Sequence, residues 1–261
     1  MFDFHLHSRL SFDTEEDPVE ILKAAENMGL REICFTDHYD HCSEKDGHHD
    51  IFTIEDYILN YGNLTSKKLK LRKGVEFGLT TWNKQEAEHF LGLWDFDFVI
   101  GSVHYAGGYD PYFEQFWQGI TFEEAIQKYL KQVLDCVKIH DNFDVLGHLT
   151  YVCKSEHNPT HSGVSYEEVK DITDEILKIL VDKGKGIEVN TSGVDRVGDF
   201  LPSLDYVKRF RELGGEIVTI GSDAHDRTRV GQYTKEALEM IGKVFPYVCT
   251  FEKRKPVFHK L

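Results

Sequence analysis

Short apolar runs alternate with longer segments of helical periodicity along almost the whole chain. Runs of about four to eight apolar residues read as buried strands, and segments with apolar positions every three or four residues read as amphipathic helices. On this reading strands occupy 2–6, 32–36, 70–75, 96–103, 144–147, 186–189 and 216–220. Helices fall near 18–28, 53–67, 84–91, 121–139, 165–183, 202–213 and 228–242, with a last short strand near 247–251. Local chemistry marks several boundaries. Asp17 before Pro18 suits a helix start, where proline's missing N–H costs nothing. Thr121 followed by Glu124 suits a capping box, and Gly214-Gly215 a helix stop. About seven strand–helix units predict a parallel α/β architecture, either a barrel or an open sheet. No low-complexity tract or long linker interrupts the 261 residues, so one domain over 1–261 is expected.

The ends of these strands carry unusual chemistry. In order they read His5-Leu6-His7, Thr36-Asp37-His38, Gly74-Val75-Glu76, Ser102-Val103-His104, Gly147-His148, Glu188-Val189-Asn190 and Gly221-Ser222-Asp223-Ala224-His225. Six of the seven place His, Asp or Glu there, and the other places Asn. Active sites of α/β barrels lie at the C-terminal ends of the strands, so a parallel barrel would gather these side chains. His5 and His7, two apart on a strand, face the same side. A lone histidine is more often a satisfied core or surface residue, but the same accident at six strand ends is a poor explanation. Imidazole with carboxylate suits zinc, iron or manganese better than calcium. The other eight histidines, among them His41, His48, His49 and His259, read as surface or loop residues.

Composition narrows the field. Lys+Arg is 30 and Asp+Glu 45, a formal net charge of -15. Such a chain is a poor general binder of nucleic acid or anionic membrane, although bound metal can invert the charge inside a site. Hydrophobic residues at 41% support a sizeable core. The five cysteines are odd in number and form no CxxC, which fits a reducing cytoplasm. The N-terminal MFDFHLHSRL lacks a signal-peptide pattern, and no run of about 18 apolar residues spans a membrane.

The motifs His5-Leu6-His7-Ser8, Thr36-Asp37-His38, Gly74-Val75-Glu76, Ser102-Val103-His104, Gly147-His148 and Gly221-Ser222-Asp223-Ala224-His225 resemble those of the PHP (polymerase and histidinol phosphatase) family, in the family's order. The phrases Gly147-His148-Leu149-Thr150-Tyr151-Val152 and Glu188-Val189-Asn190-Thr191-Ser192-Gly193 look most like its stand-alone histidinol-phosphatase branch. The resemblance implies a distorted (β/α)7 TIM-like barrel holding three divalent metal ions, zinc, manganese or iron. By motif, His5, His7, Glu76 and Asp223 would hold the first. Glu76 would bridge to a second, held also by His104 and His148. His38 and His225, with Asp13, would hold the third. The implied substrate is a small phosphate monoester, histidinol phosphate, in histidine biosynthesis. Six metal charges, set against Asp13, Glu76, Asp223 and a bridging hydroxide, leave about two positive charges for a phosphate dianion. That hydroxide is expected to attack phosphorus in line, with Asp13 or a metal-bound water protonating the leaving group. Asp13, Glu76, Asp223 and His225 are therefore expected around the reacting phosphate.

Phosphate recognition favours arginine, whose planar fork grips two oxygens. Arg196, just after Asn190-Thr191-Ser192-Gly193, is the first candidate, followed by Arg227 and Arg229. Some histidinol phosphatases carry an arginine where Lys154 stands, and Lys154 offers only a point charge. Asp40, Glu44 or Asp46 would either pair with a substrate ammonium or form a solvated acidic rim. Tyr109, Tyr112, Phe113, Phe116 and Trp117 would either roof the pocket or pack as a side cluster. Two rivals stand beside this reading: a phosphoesterase acting on a small nucleotide, and a non-catalytic metal or phospho-ligand binding module.

Overall fold

The computed structural model describes residues 1–41 and 49–261. Its strands, in chain order, build a nearly closed parallel barrel. β1 (Phe2–Leu6) pairs with β2 (Glu32–Phe35), Phe2 opposite Glu32. After a break at Thr36-Asp37 the same stave resumes as β3 (His38–His41), which also carries a short antiparallel partner, β4 (His49–Asp50). β5 (Lys70–Gly78) runs beside both β2 and β3. β6 (Phe98–Ser102), β7 (Val145–Leu146), β8 (Gly186–Asn190) and β9 (Val218–Gly221) follow in sequence, all parallel. The ring closes where Leu6 bridges Ala224, with Asp223 N–H donating to His5 O at 2.9 Å and His7 N–H donating to Ala224 O at 3.0 Å. Counting β2 and β3 as one stave gives the distorted (β/α)7 barrel that the motifs implied.

Helices flank the staves: α1 (Pro18–Met28), α2 (Ile54–Tyr61), α3 (Lys84–Leu91), α4 (Glu114–Trp117), α5 (Phe122–Ile139), α6 (Lys170–Asp182), α7 (Val194–Val197), α8 (Leu204–Glu212) and α9 (Thr234–Ile241). The expected starts of α1 and α5 hold. Asp17 accepts from Val19 N–H at 2.8 Å, and Thr121 and Glu124 cap each other reciprocally. Three expected helices are shorter, and the one expected at 53–67 ends at Tyr61. The segment expected at 228–242 begins as a 3-10 turn and becomes helical only at Thr234, because Gly231 and Tyr233 adopt left-handed φ values of 69° and 57°. The segment at 165–183 likewise starts with a 3-10 turn over Tyr166–Val169.

The chain ends in an antiparallel hairpin, β10 (Tyr247–Glu252) and β11 (Lys255–Lys260). It packs under the N-terminal ends of the staves. Phe251 meets Phe98 with ring centroids 4.8 Å apart, and Phe98 meets Phe4 edge-on. Arg254 donates from Nε to Asp144 Oδ2 at 2.6 Å, and Lys253 N–H donates to Asp97 Oδ1 at 3.0 Å. With that end filled by aromatic rings, the opposite, C-terminal mouth is free for polar side chains. Among the described residues, no helix is long and apolar enough to cross a membrane.

Candidate metal centre

Glu76 stands at the middle of the C-terminal mouth because β5 runs past the expected end at residue 75 as far as Gly78. The β3–β5 register sets His38 directly opposite it. Glu76 Oε1 lies 2.9 Å from His148 Nε2 and 3.4 Å from His104 Nε2, and accepts from Ser102 Oγ at 2.5 Å. Its Oε2 lies 2.9 Å from His38 Nδ1, 3.1 Å from His5 Nε2 and 3.6 Å from His7 Nε2. Asp223 Oδ1 lies 3.2 Å from His7 Nε2 and 3.7 Å from His5 Nε2. Asp13 Oδ2 lies 3.0 Å from His225 Nε2 and 3.8 Å from His38 Nε2. All nine expected side chains therefore meet, although they come from both ends of the chain and from loops between.

The donor chemistry fits metal ions. His5 Nε2, His7 Nε2 and Glu76 Oε2 are buried and make no hydrogen bond among the described residues, an arrangement that costs free energy unless something else occupies the space between them. Three further groups of donors are close enough to share an ion: His7, His38 and His225; His38, Asp40 and His104; and Glu76, His104 and His148. Asp223 is held at φ 55°, in the left-handed region, where a non-glycine residue is uncommon but aspartate is enriched.

A surrounding layer orients the rings, as is usual for metal-bound histidines. His5 Nδ1 is 2.6 Å from Glu188 Oε1, whose other oxygen accepts from His148 N–H at 2.9 Å. His104 Nδ1 is 3.0 Å from Asp40 Oδ2, and His225 Nδ1 is 2.9 Å from the Asp223 carbonyl. His7 Nδ1 meets Ser11 Oγ at 3.0 Å, and Ser11 donates to Asp37, which also accepts from Tyr61.

Charge follows from this crowding. Burial disfavours charge on every group, yet the neighbours outweigh it at several. His104 and His38 hold Asp40 down to about 2, and Asp40 and Glu76 lift His104 to about 10. Glu76 is held well below the carboxylate range by His5, His38 and His104. Burial, with His225 and His38 beside it, pushes His7 well below the usual imidazole value.

Comparison with known proteins gives these motifs a home. A family model described as the PHP domain matches residues 3–192. The chain belongs to the PHP domain family. This PHP chain is 33% identical over 255 residues to a probable histidinol-phosphatase of Clostridium acetobutylicum, covering 97% of this chain and 98% of that one. It superimposes with a TM-score of 0.83 on the histidinol phosphate phosphatase of Lactococcus lactis, solved with zinc, L-histidinol and phosphate. The two are 31% identical, and the match covers 98% of each chain. A putative histidinol phosphatase of Listeria monocytogenes shares the fold, with a TM-score of 0.74 at 19% identity, covering 90% of this chain and 99% of that one.

Over the nine side chains this PHP barrel opens a cavity of about 460 Å³. Lys154, Arg196 and Arg229 line it. Lys154 Nζ donates to Asp223 Oδ2 at 2.7 Å, and Asp223 keeps it protonated against the effect of burial. Arg229 is tethered to Asp195 at 3.0 Å. Two expected substrate contacts do not reach the cavity. Arg227 is drawn away by Glu16 and Glu20, at 2.8 and 3.3 Å. Asn190 is buried between Glu188 and Ser192, donating to the first and accepting from the second.

Other expectations shift too. Asp40 is no solvated rim: it is buried against His104 and His38. Glu44 and Asp46 lie outside the described residues, as does His48. Tyr112 and Phe113 line the cavity, whereas Phe116 is buried and Trp117 donates to Pro111 O, so the aromatic insertion divides between roof and side cluster. Among the histidines left to the surface, His140 is buried, 2.7 Å from Thr80 O. Sequence reasoning assigned no role to Glu188, Ser11 or Asp37. The only signal was proximity to the strand-end motifs, since their partners lie up to 183 residues away.

Proposed function

We propose that this chain is a metal-dependent phosphomonoesterase that hydrolyses L-histidinol phosphate to L-histidinol and phosphate, a cytoplasmic step of histidine biosynthesis. The observation that carries the reading is the meeting of six imidazoles and three carboxylates beneath one open cavity. The near full-length likeness to the Lactococcus lactis enzyme, which binds zinc, L-histidinol and phosphate, supports the substrate.

His5, His7, Glu76 and Asp223 would hold one divalent ion; Glu76, His104 and His148 a second; and Asp13, His38 and His225 a third. Zinc, manganese and iron all suit this donor set. Bound there, such ions supply Lewis-acid charge and lower the pKa of water toward 7. The chain's own groups do the rest. Glu188 and Asp40 fix the His5 and His104 rings so that their other nitrogens face Glu76. Lys154, held in its charged form, and the guanidinium groups of Arg196 and Arg229 bring positive charge to the cavity wall, where a phosphate is bound and oriented. Burial opposes ionisation of Asp13, but the His225 hydrogen bond and the nearby His38 keep its pKa well below the carboxylate range. In the metal-free chain Asp13 is therefore ionised at neutral pH.

Turnover decides the matter. Zinc- or manganese-loaded protein should hydrolyse L-histidinol phosphate, and His104→Ala should lose most of that activity. A preference of about 100-fold or more for a mononucleotide would overturn the substrate. No hydrolysis of any phosphate ester would overturn the enzyme reading and leave a binding module.

A further inference from the structure

Ser11 stands on the loop between β1 and α1, behind the His7 ring. His7 is sandwiched between His225 and His38, with ring centroids 3.9 and 4.3 Å away and planes 19° and 28° apart. The sandwich fixes the plane of the His7 ring but not the nitrogen that carries its proton. A neutral imidazole has one N–H and one lone pair, and the hydrogen bond at one nitrogen sets the state of the other. For His7 that choice decides whether Nε2, the nitrogen facing Asp223 and Glu76, can accept an ion at all.

Three polar groups close on the Ser11 hydroxyl among the described residues. His38 N–H lies 3.1 Å away, Asp37 Oδ1 2.9 Å and His7 Nδ1 3.0 Å. Ser11, His7, Asp37, Ser8 and Tyr61 are all buried, so their donors and acceptors must be matched with one another. A serine hydroxyl has one proton to give and two lone pairs to offer. The backbone N–H of His38 can only donate. Asp37 Oδ1 already takes the Ser8 N–H at 2.6 Å, and Oδ2 takes the Tyr61 hydroxyl, so the carboxylate acts as an acceptor toward Ser11 as well. The Ser11 proton therefore points to Asp37. Its second lone pair is left for His7 Nδ1, which must be the donor. Without that acceptor the His7 proton has a closer claim from the other side, since Asp223 Oδ1 lies 3.2 Å from Nε2.

We propose that Ser11 is a positioning residue that holds the His7 proton on Nδ1 and keeps Nε2 open for a divalent ion, with Asp37 and Tyr61 setting the direction of its hydroxyl. The inference rests on the reading of His7 as a metal ligand and adds the group that makes it one. The same oxygen accepts from the backbone of His38. One hydroxyl thus serves a side chain proposed for the first ion and the main chain of a residue proposed for the third.

The test reads the proton directly. Metal-free protein labelled with nitrogen-15 histidine is measured by long-range proton–nitrogen correlation at about pH 8, where an ordinary imidazole carries one proton. The His7 signals are assigned by their loss in His7→Gln. Wild-type protein should show the proton on Nδ1 and a bare Nε2. In Ser11→Ala the proton should move to Nε2, and one step of a competitive zinc titration should weaken by about 10- to 100-fold. A purely structural role for Ser11 would lower zinc affinity and leave the tautomer unchanged, and that result overturns the proposal. So does a shifted proton with unaltered zinc affinity. Should Ser11→Ala fail to fold, the wild-type spectrum still decides: a proton on His7 Nε2 overturns the assignment. No readout needs turnover, so a chain that binds zinc but hydrolyses no ester would sink the phosphatase reading and leave the Ser11 inference standing.

Discussion

Glu188 illustrates how much of the centre depends on residues that touch no substrate. One oxygen fixes His5 Nδ1 and the other holds the backbone N–H of His148 and the side chain of Asn190. Removing such a partner typically weakens metal binding by about 10- to 100-fold, so Glu188→Ala should show that loss in a competitive zinc titration while remaining folded. Protons compete for the same rings. In the metal-free chain His104 is lifted from 6.5 to about 10, chiefly by Asp40 and Glu76 against the effect of burial. A raised folded-state value means that the protonated ring stabilises the fold fully below pH 6.5, and that this contribution is lost as pH climbs through about 10. The melting temperature of metal-free protein should therefore fall from pH 6.5 toward pH 10. Metal affinity should move the opposite way, weakening as pH drops, because binding must expel those protons. A pH-independent melting temperature in calorimetry would argue against the charge assignment.

At the scale of elements, the strands and their end residues were legible because two signals agree: apolar runs of strand length, and chemistry placed where parallel staves converge. His5, His38, Glu76, His104, His148 and Asp223 were found this way. The break between β2 and β3 was not legible. It depends on register with β5, which brings His38 opposite Glu76 and turns Asp40 inward, and sequence pattern carries no record of register across some 40 residues. Arg227 failed for a related reason: its neighbours in space, Glu16 and Glu20, come from the other end of the chain. Two substitutions test the seam between β1 and β9. Asp3 accepts from Ser222 N–H at 2.8 Å, Ser222 Oγ at 2.6 Å and Gly231 N–H at 2.8 Å. Asp3→Ala leaves these donors buried without a partner and should cost about 2–4 kcal/mol in denaturant unfolding. Gly221 lies so close to His5 and Glu188 that a Cβ there would collide with both. Gly221→Ala should consequently reduce bound metal per chain, measured by elemental analysis, more than it reduces helical content.

Across the whole molecule, the hairpin of β10 and β11 ties the chain's end to the N-terminal side of the barrel. Burial raises the Asp144 carboxyl, and Arg254 is the cation that offsets it. Arg254→Ala should lift that carboxyl further and lower stability by about 2–3 kcal/mol near pH 7. The loss should shrink toward pH 4, because a raised folded-state acid destabilises only where the unfolded group is ionised. An equal loss at both values would show that packing, not charge, holds the hairpin. The seam between β1 and β9 has a consequence for biosynthesis. His5 and His7 leave the ribosome early, whereas Asp223 and His225 follow more than 200 residues later, a delay of ~10–40 s at ordinary elongation rates. Until then the nascent polypeptide carries seven of the nine proposed ligands, and the first and third proposed ion sites each lack one. Tight retention of the first and third ions thus certifies that translation ran through residue 225 and that β1 has met the segment that follows β9.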